Sequence, residues 1–271
     1  MFFTSLAART DLGLVRQGNE DSALYHSTLI AVADGMGGAV GGEIASRIAI
    51  RTLATFAPII SNLRNDLDSQ GEFLQQALQG IDEEIATAIS ARDELAGMGT
   101  TLTALAASDK SVSLLHIGDS RAYRLRDGKL TRLSHDHTVI QELLDQGRIT
   151  KDEISDHPQR SVLTLALMGR GMGELATGED ASPAIHIFPA EKDDIYLISS
   201  DGLNAVLDDE EIARIISSAP LDQAANNLIA ATRNGGAPDN VTVILAKFTA
   251  LDKAIKEPLD IPLSFLGAAH E

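Results

Sequence analysis

Three apolar runs in this chain end in the same way. Leu29-Ile30-Ala31-Val32-Ala33 gives way to Asp34-Gly35, Leu114-Leu115-His116-Ile117 to Gly118-Asp119-Ser120, and Ile195-Tyr196-Leu197-Ile198 to Ser199-Ser200-Asp201-Gly202. A short apolar run closed by Gly or Ser reads as a core strand emerging into a loop. Each of these strands therefore delivers a carboxylate to the edge of apolar surface, where an unpaired charge is costly. Several such carboxylates converging would repel one another, and a hard divalent cation is the natural compensator.

A chain of 271 residues is long enough to bury a substantial core, and no linker, low-complexity tract or fixed-period repeat divides it. We expect one domain over residues 1–250, with residues 251–271 as a C-terminal tail that either packs on the domain or frays. The formal net charge of -17 argues against nucleic-acid phosphates or an anionic membrane as partners. The chain has no cysteine, which excludes disulfides, thiolate zinc sites and cysteine nucleophiles. The opening Met1-Phe2-Phe3-Thr4-Ser5-Leu6-Ala7-Ala8 is a poor signal peptide, and no continuous run approaches the roughly 20 apolar residues of a membrane span. A cytoplasmic monomer is the expectation.

The apolar periodicity changes along the chain. Strands are expected at 2–8 and 29–33, and helices at 42–57 and 72–92. A run of strands follows at 100–107, 111–118, 121–126 and 129–133, with Asp127-Gly128 as a hairpin turn between the last two. Strands at 185–188 and 194–199, helices at 210–217 and 221–233, and a closing strand at 241–248 complete the reading. Sheet segments separated by paired helices favour an α+β fold with layered sheets. Residues 134–182 stand apart as a long connection with a short helix at 139–146 and an apolar anchor at Val162 to Leu167. A connection of that length in a compact domain is usually functional, here an ordered flap.

Several segments carry chemistry. Arg16-Gln17-Gly18-Asn19-Glu20-Asp21 places a guanidinium suited to bidentate capture of phosphate beside two carboxylates, although alone it also fits a surface loop of mixed charge. In Asp34-Gly35-Met36-Gly37-Gly38 the glycine after Asp34 brings a main-chain carbonyl close to whatever that carboxylate binds. Gly99-Thr100-Thr101 opens a strand and is read as structural. Gly118-Asp119-Ser120-Arg121 fits a ligand-bearing strand end or a tight turn equally well. Asp239-Asn240 opens the last strand and by itself would be an ordinary Asx turn. His135-Asp136-His137 is read as a solvated turn rather than a metal pair, and His116 as a core histidine.

In order along the chain, Arg16-x-x-Asn19-Glu20-Asp21, Asp34-Gly35-Met36-Gly37-Gly38, Gly99-Thr100-Thr101, Gly118-Asp119-Ser120-Arg121, Leu163-Thr164-x-x-Leu167-x-Gly169, Ser200-Asp201-Gly202-Leu203 and Asp239-Asn240-Val241-Thr242 form one signature set. The chain resembles the metal-dependent type 2C serine/threonine protein phosphatases, the PPM class, in their compact bacterial form. The resemblance spans about residues 5 to 248 and implies a central β-sandwich of two antiparallel sheets flanked by helix pairs, with a flap over the cleft. It implies hydrolysis of phosphoserine and phosphothreonine in proteins by an activated water, opposing a cognate Ser/Thr kinase.

By the same resemblance Asp34 would bridge two Mn²⁺ or Mg²⁺ ions and the Gly35 carbonyl would bind one of them. Asp201 and Asp239 would complete the other, and Asp119 with Asp201 would hold a third. Arg16 would bind the substrate phosphate, while Glu20, Asp21 and Asn240 would act behind the ligands, the two acids through bound waters. Met36 stands where eukaryotic members carry a histidine proposed as general acid, and a thioether cannot donate a proton. An aspartyl-phosphate phosphatase is excluded because Val32 sits where its nucleophile must be. A calcineurin-like metallophosphoesterase is excluded because Ala122 replaces its second aspartate. A catalytically weak relative that binds phosphoproteins is the remaining alternative; all the metal carboxylates are retained here.

Overall fold

The computed structural model describes residues 2–37, 40–63, 65–154, 157–171, 184–249 and 262–270. In chain order, strands β1 (Phe2–Asp11), β2 (Asp21–Tyr25) and β3 (Leu29–Met36) lead into helices α1 (Gly41–Asn62) and α2 (Leu67–Ala91). Strands β4 (Gly99–Thr100), β5 (Leu102–Ala107), β6 (Ser111–Ile117), β7 (Arg121–Arg126) and β8 (Lys129–Arg132) follow, and then helix α3 (Val139–Asp145). The chain continues through β9 (Ala184–Pro189), β10 (Ile195–Ser199), α4 (Asp201–Asn204), α5 (Asp209–Ser217), α6 (Leu221–Asn234), β11 (Val241–Thr249) and β12 (Ser264–Gly267).

The strands form two antiparallel sheets, five-stranded in the order β1-β11-β10-β7-β8 and seven-stranded in the order β12-β2-β3-β5-β6-β9 with β4 paired to β3. Between them lies a core of Ile30, Val32, Leu105 and Leu114 from one sheet and Phe3, Tyr196, Ile198, Ile244 and Phe248 from the other. The opposite faces are covered too. Leu29, Ala31 and Ala33 of β3 pack on α1 and α2, and Leu197, Val243 and Leu245 pack on α5 and α6. Because both faces of a central strand are buried, its sequence reads as an unbroken apolar run rather than an alternation. That burial, at ~1.5–3 kcal/mol for each large side chain, is the main force aligning the strands.

The expected elements are present, with shifted ends. The Asp127-Gly128 hairpin has positive φ at both residues (51° and 76°), the geometry of a type I′ turn. Helix α2 begins five residues before its expected start, where Asp66 accepts a hydrogen bond from the Ser69 N–H (3.1 Å). Helix α1 runs past Ala57 through Pro58 to Asn62 and is long and apolar enough to cross a bilayer by length and composition. Its charged residues Glu43, Arg47 and Arg51 interrupt any continuous run, and its apolar side packs on β2, β3 and α2.

Of the two fates expected for the tail, packing holds where the chain is described. Ser264–Gly267 pairs antiparallel with Tyr25–Ser22 as an edge strand, and Arg51 lies 4.1 Å over the Phe265 ring. Residues 251–261 lie outside the described residues, as do 155–156 and 172–182 of the flap segment and Gly38 of the glycine motif.

Register brings the chemistry to one edge of the sandwich. Asp21 at the start of β2 lies opposite Asp34 near the end of β3. Thr10 pairs with Thr242 where β1 ends and β11 begins, and Ser199 pairs with Arg121 where β10 ends and β7 begins. Asp34, Asp119, Asp201 and Asp239 therefore emerge together although they are far apart in sequence.

Candidate metal centre

Asp34 is held by its backbone. Its carbonyl accepts from the Thr101 N–H (2.9 Å) and the Thr100 hydroxyl (2.9 Å), and its N–H donates to Thr101 Oγ1 (3.0 Å). Gly35 follows because no side chain fits: a Cβ there would lie 2.0 Å from the Gly42 carbonyl oxygen at the start of α1. The Gly35 N–H donates to the Glu20 carbonyl (3.2 Å), which also accepts from Ser46 Oγ (2.5 Å). The loop bearing Glu20, the Asp34-Gly35 turn and the first turn of α1 are thus locked together.

Asp119 sits in the turn between β6 and β7. Gly118, at φ +102°, packs so closely on Thr101 that a Cβ would come within 2.5 Å of its methyl carbon. Ser120 Oγ bonds Thr101 Oγ1 at 2.8 Å. Asp201 opens α4 directly after Ser200, whose N–H donates to the Thr242 carbonyl (3.0 Å) and whose hydroxyl donates to Asp21 Oδ2 (2.7 Å). Asp239 Oδ2 accepts from Arg16 Nη2 (2.6 Å), and Asp239 Oδ1 accepts from the Asn240 N–H (2.8 Å).

Asn240 ties the Arg16 loop to the last strand. Its Oδ1 accepts from the Glu20 N–H (2.9 Å), while its Nδ2 donates to the carbonyls of Leu12 (2.9 Å) and Gly18 (3.0 Å). Arg16 is half exposed, its guanidinium at the rim and its charge turned toward the acids. Its pKa is raised by the hydrogen bond it donates to Asp239 and by the further negative charges of Glu20 and Asp34.

The acids are strained electrostatically. Burial lifts Asp34 well above the carboxylate range, and Asp21, Asp201, Asp119 and Asp239 each push it further. Burial and then Asp201 raise Asp119 to about 8, and burial lifts Asp21 to about 7 against hydrogen bonds from Thr242 and Ser200. Asp201 is raised by burial and by Asp239. Asp21 is fully buried, yet its Oδ1 has no hydrogen-bond partner among the described residues. Buried carboxylates with raised pKa values and an orphaned oxygen form a donor set that suits a hard, oxygen-loving cation. Among the described residues no three acids or histidines already close into a ligand shell around one point.

The structure brings together Arg16, Glu20, Asp21, Asp34, Gly35, Asp119, Asp201, Asp239 and Asn240, all the residues singled out in the sequence. Asp21, expected to stand behind the ligands, is buried beside the carboxylate cluster, where its Oδ2 accepts from Ser200. One reading changes. His135-Asp136-His137 is solvated at His135 only: Asp136 is buried and accepts from Arg121 Nε (3.0 Å) and Nη2 (2.6 Å), with Arg132 3.4 Å away. The pKa of His137 falls to about 4 through burial. His116 is a core histidine as read, fully buried, donating from Nε2 to the His135 carbonyl (2.9 Å). The residues missed are the hydroxyls of Thr100, Thr101, Ser120, Ser200 and Thr242, which fix the acids. Their only signal was a Ser or Thr beside each strand end.

A family model described as Protein phosphatase 2C matches residues 16–238. The serine/threonine protein phosphatase PstP of Mycobacterium tuberculosis is 40% identical over 256 residues, covering 93% of this chain and 46% of that protein, so the chain spans about half the length of that relative. The crystal structure of that phosphatase superposes with a TM-score of 0.81 at 39% identity, covering 92% of this chain and 100% of that one. The serine/threonine phosphatase stp of Listeria innocua is 32% identical over 90% of this chain and 96% of its own length. A structure of a PstP catalytic domain in complex with two manganese ions has a TM-score of 0.78 at 36% identity, over 92% of this chain and 100% of that one. With the match covering most of the chain and the site residues in place, this chain belongs to the protein phosphatase 2C family.

Proposed function

We propose that this chain is a metal-dependent protein serine/threonine phosphatase that transfers the phosphoryl group of phosphoserine or phosphothreonine to water, releasing inorganic phosphate and the free hydroxyl. The observation that carries this reading is the buried acid cluster with an orphaned Asp21 oxygen, rimmed by the half-exposed guanidinium of Arg16. Asp34, the Gly35 carbonyl, Asp201 and Asp239 would hold two Mn²⁺ or Mg²⁺ ions, and Asp119 with Asp201 a third. The two manganese ions in the PstP catalytic-domain structure support the two-ion core. Such ions, when bound, offset the carboxylate charge, polarise phosphoryl oxygens and activate water.

The chain's own residues do the rest. Arg16 offers a planar fork of donors to two phosphate oxygens, which draws a dianionic substrate to an otherwise acidic edge. Asn240 and Asp239 hold that arginine's loop, so the fork is aimed before substrate arrives. Thr100 and Thr101 fix both backbone polar groups of Asp34, which leaves its carboxylate oriented without reorganisation. Met36 supplies no proton, so the proton taken up by the departing alkoxide comes from a source other than this side chain.

The substrates would be phosphorylated proteins and the opposing enzyme a Ser/Thr kinase. The test is Mn²⁺-dependent hydrolysis of p-nitrophenyl phosphate by the wild type and Asp201→Ala. Hydrolysis by the wild type that needs Mn²⁺ and is lost in the variant is expected; equal inertness of both would sink the proposal.

A further inference from the structure

His137 lies outside the acid cluster, yet it meets the Asp119 turn twice. Its N–H donates to the Gly118 carbonyl (2.8 Å), and its ring Nδ1 accepts from the Gly118 N–H (3.0 Å). A backbone N–H can be received only by an unprotonated nitrogen, so the ring is neutral with its hydrogen on Nε2. The ring stacks on His116 with centroids 5.0 Å apart. One residue earlier, Asp136 grips Arg121, so segment 136–137 is bonded to the chain on both sides of Asp119. Gly118 in turn rests on Thr101, which holds Asp34.

The same residue reaches the flap. The His137 carbonyl accepts from the Thr164 N–H (2.9 Å), and Thr138 and Leu163 form an antiparallel bridge. The far end of that segment returns to the site through Leu167, which exchanges two backbone hydrogen bonds with Thr100 (2.9 Å each). Both attachments of segment 163–167 therefore land beside Asp34, one on Thr100 directly and one on Thr101 through His137 and Gly118.

We propose that His137 is a positioning residue: its ring nitrogen pins the Gly118–Asp119 turn against Thr101 and ties the placement of Asp119 to the flap. The functional consequence rests on the phosphatase reading above, but the pinning itself does not. A merely space-filling histidine would be replaced equally well or badly by any side chain of similar size. An acceptor at Nδ1 is imitated by asparagine, whose Oδ1 branches at the same position, and not by glutamine, whose amide lies one carbon further out.

The experiment compares wild type, His137→Asn, His137→Gln and His137→Ala by amide hydrogen exchange at Gly118, and by kcat and KM for a phosphothreonine peptide across a Mn²⁺ titration. Loss of one backbone hydrogen bond should speed Gly118 exchange by about tenfold in the Gln and Ala variants and leave the Asn variant near wild type. The same two variants should lose kcat and require more Mn²⁺, with KM little changed. If Asn and Gln variants exchange alike at Gly118, whether both protected or both exposed, the proposal is overturned. Wild-type protein that shows a protected Gly118 but no Mn²⁺-dependent hydrolysis would refute the phosphatase reading while leaving the pinning in place.

Discussion

The Arg16 loop owes its shape to one side chain, and Asn240→Ala should expose that dependence. The substitution removes three hydrogen bonds at a residue that is 5% exposed, to the Glu20 N–H and to the carbonyls of Leu12 and Gly18. Each is worth about 1 kcal/mol net, and the half-buried Glu20 N–H loses its acceptor outright. Leu12 is 40% exposed and Gly18 is exposed, so water can replace the donor to both carbonyls and their loss stays at the lower end. The sum is about 3 kcal/mol, which in a domain of this size lowers Tm by about 6 °C. Urea unfolding in EDTA measures the stability, and kcat/KM for p-nitrophenyl phosphate reports the aim of Arg16. Asn240→Asp keeps the acceptor for Glu20 and loses both donors, so it should fall between Ala and wild type in stability yet lose as much activity. A change under 0.5 kcal/mol for Asn240→Ala, with wild-type activity, would refute the reasoning.

The ion-free protein should lose stability as pH rises. Asp21 and Asp119 hold their protons to about 7 and about 8 in the folded chain, whereas an unfolded aspartate releases its proton near 3.9. Between those limits the folded state binds more protons, so this contribution is complete below about pH 4 and gone above about pH 8. Tm measured in EDTA should fall from pH 5 to 8, and a rise over that range would contradict the strained cluster. Arg16→Lys keeps the charge but loses the fork, and should raise KM about tenfold with a smaller change in kcat, since Lys acts as a point charge. A variant with unchanged KM would remove Arg16 from phosphate binding. Asp82→Ala deletes the carboxylate that accepts from the Gly169 N–H (2.7 Å) and the Gly171 N–H (2.8 Å). Limited proteolysis should then cut within residues 163–171 several-fold faster while Tm falls by only a few degrees; an unchanged cleavage pattern would contradict that anchor.

Much of this centre was legible in the sequence because its signals are local. An apolar run that stops at an Asp beside a Gly records a strand, its end and a close backbone approach within eight residues, and Asp34, Asp119 and Asp201 each carry that record. The pairing of Asp21 opposite Asp34 is not legible in the sequence, since register is a property of two strands. The hydroxyls of Thr100 and Thr101 looked like strand formers because their partner, Asp34, is 66 residues away. The burial of Asp136 is hidden for the same reason: nothing nearby in the sequence shows that Arg121 neutralises it. Strand β12 is only four residues long and gains its stability from the edge of β2, so its own composition announced little.

The central claim is that strand-end carboxylates are gathered to be neutralised by hard divalent cations around Asp34. Calorimetric titration of Mn²⁺ into the ion-free wild type and Asp34→Ala tests it directly. The account predicts at least two ions per wild-type chain, released protons on binding, and loss of the tight ions when Asp34 is removed. Fewer than two ions in the wild type, or identical binding by the two proteins, would contradict it.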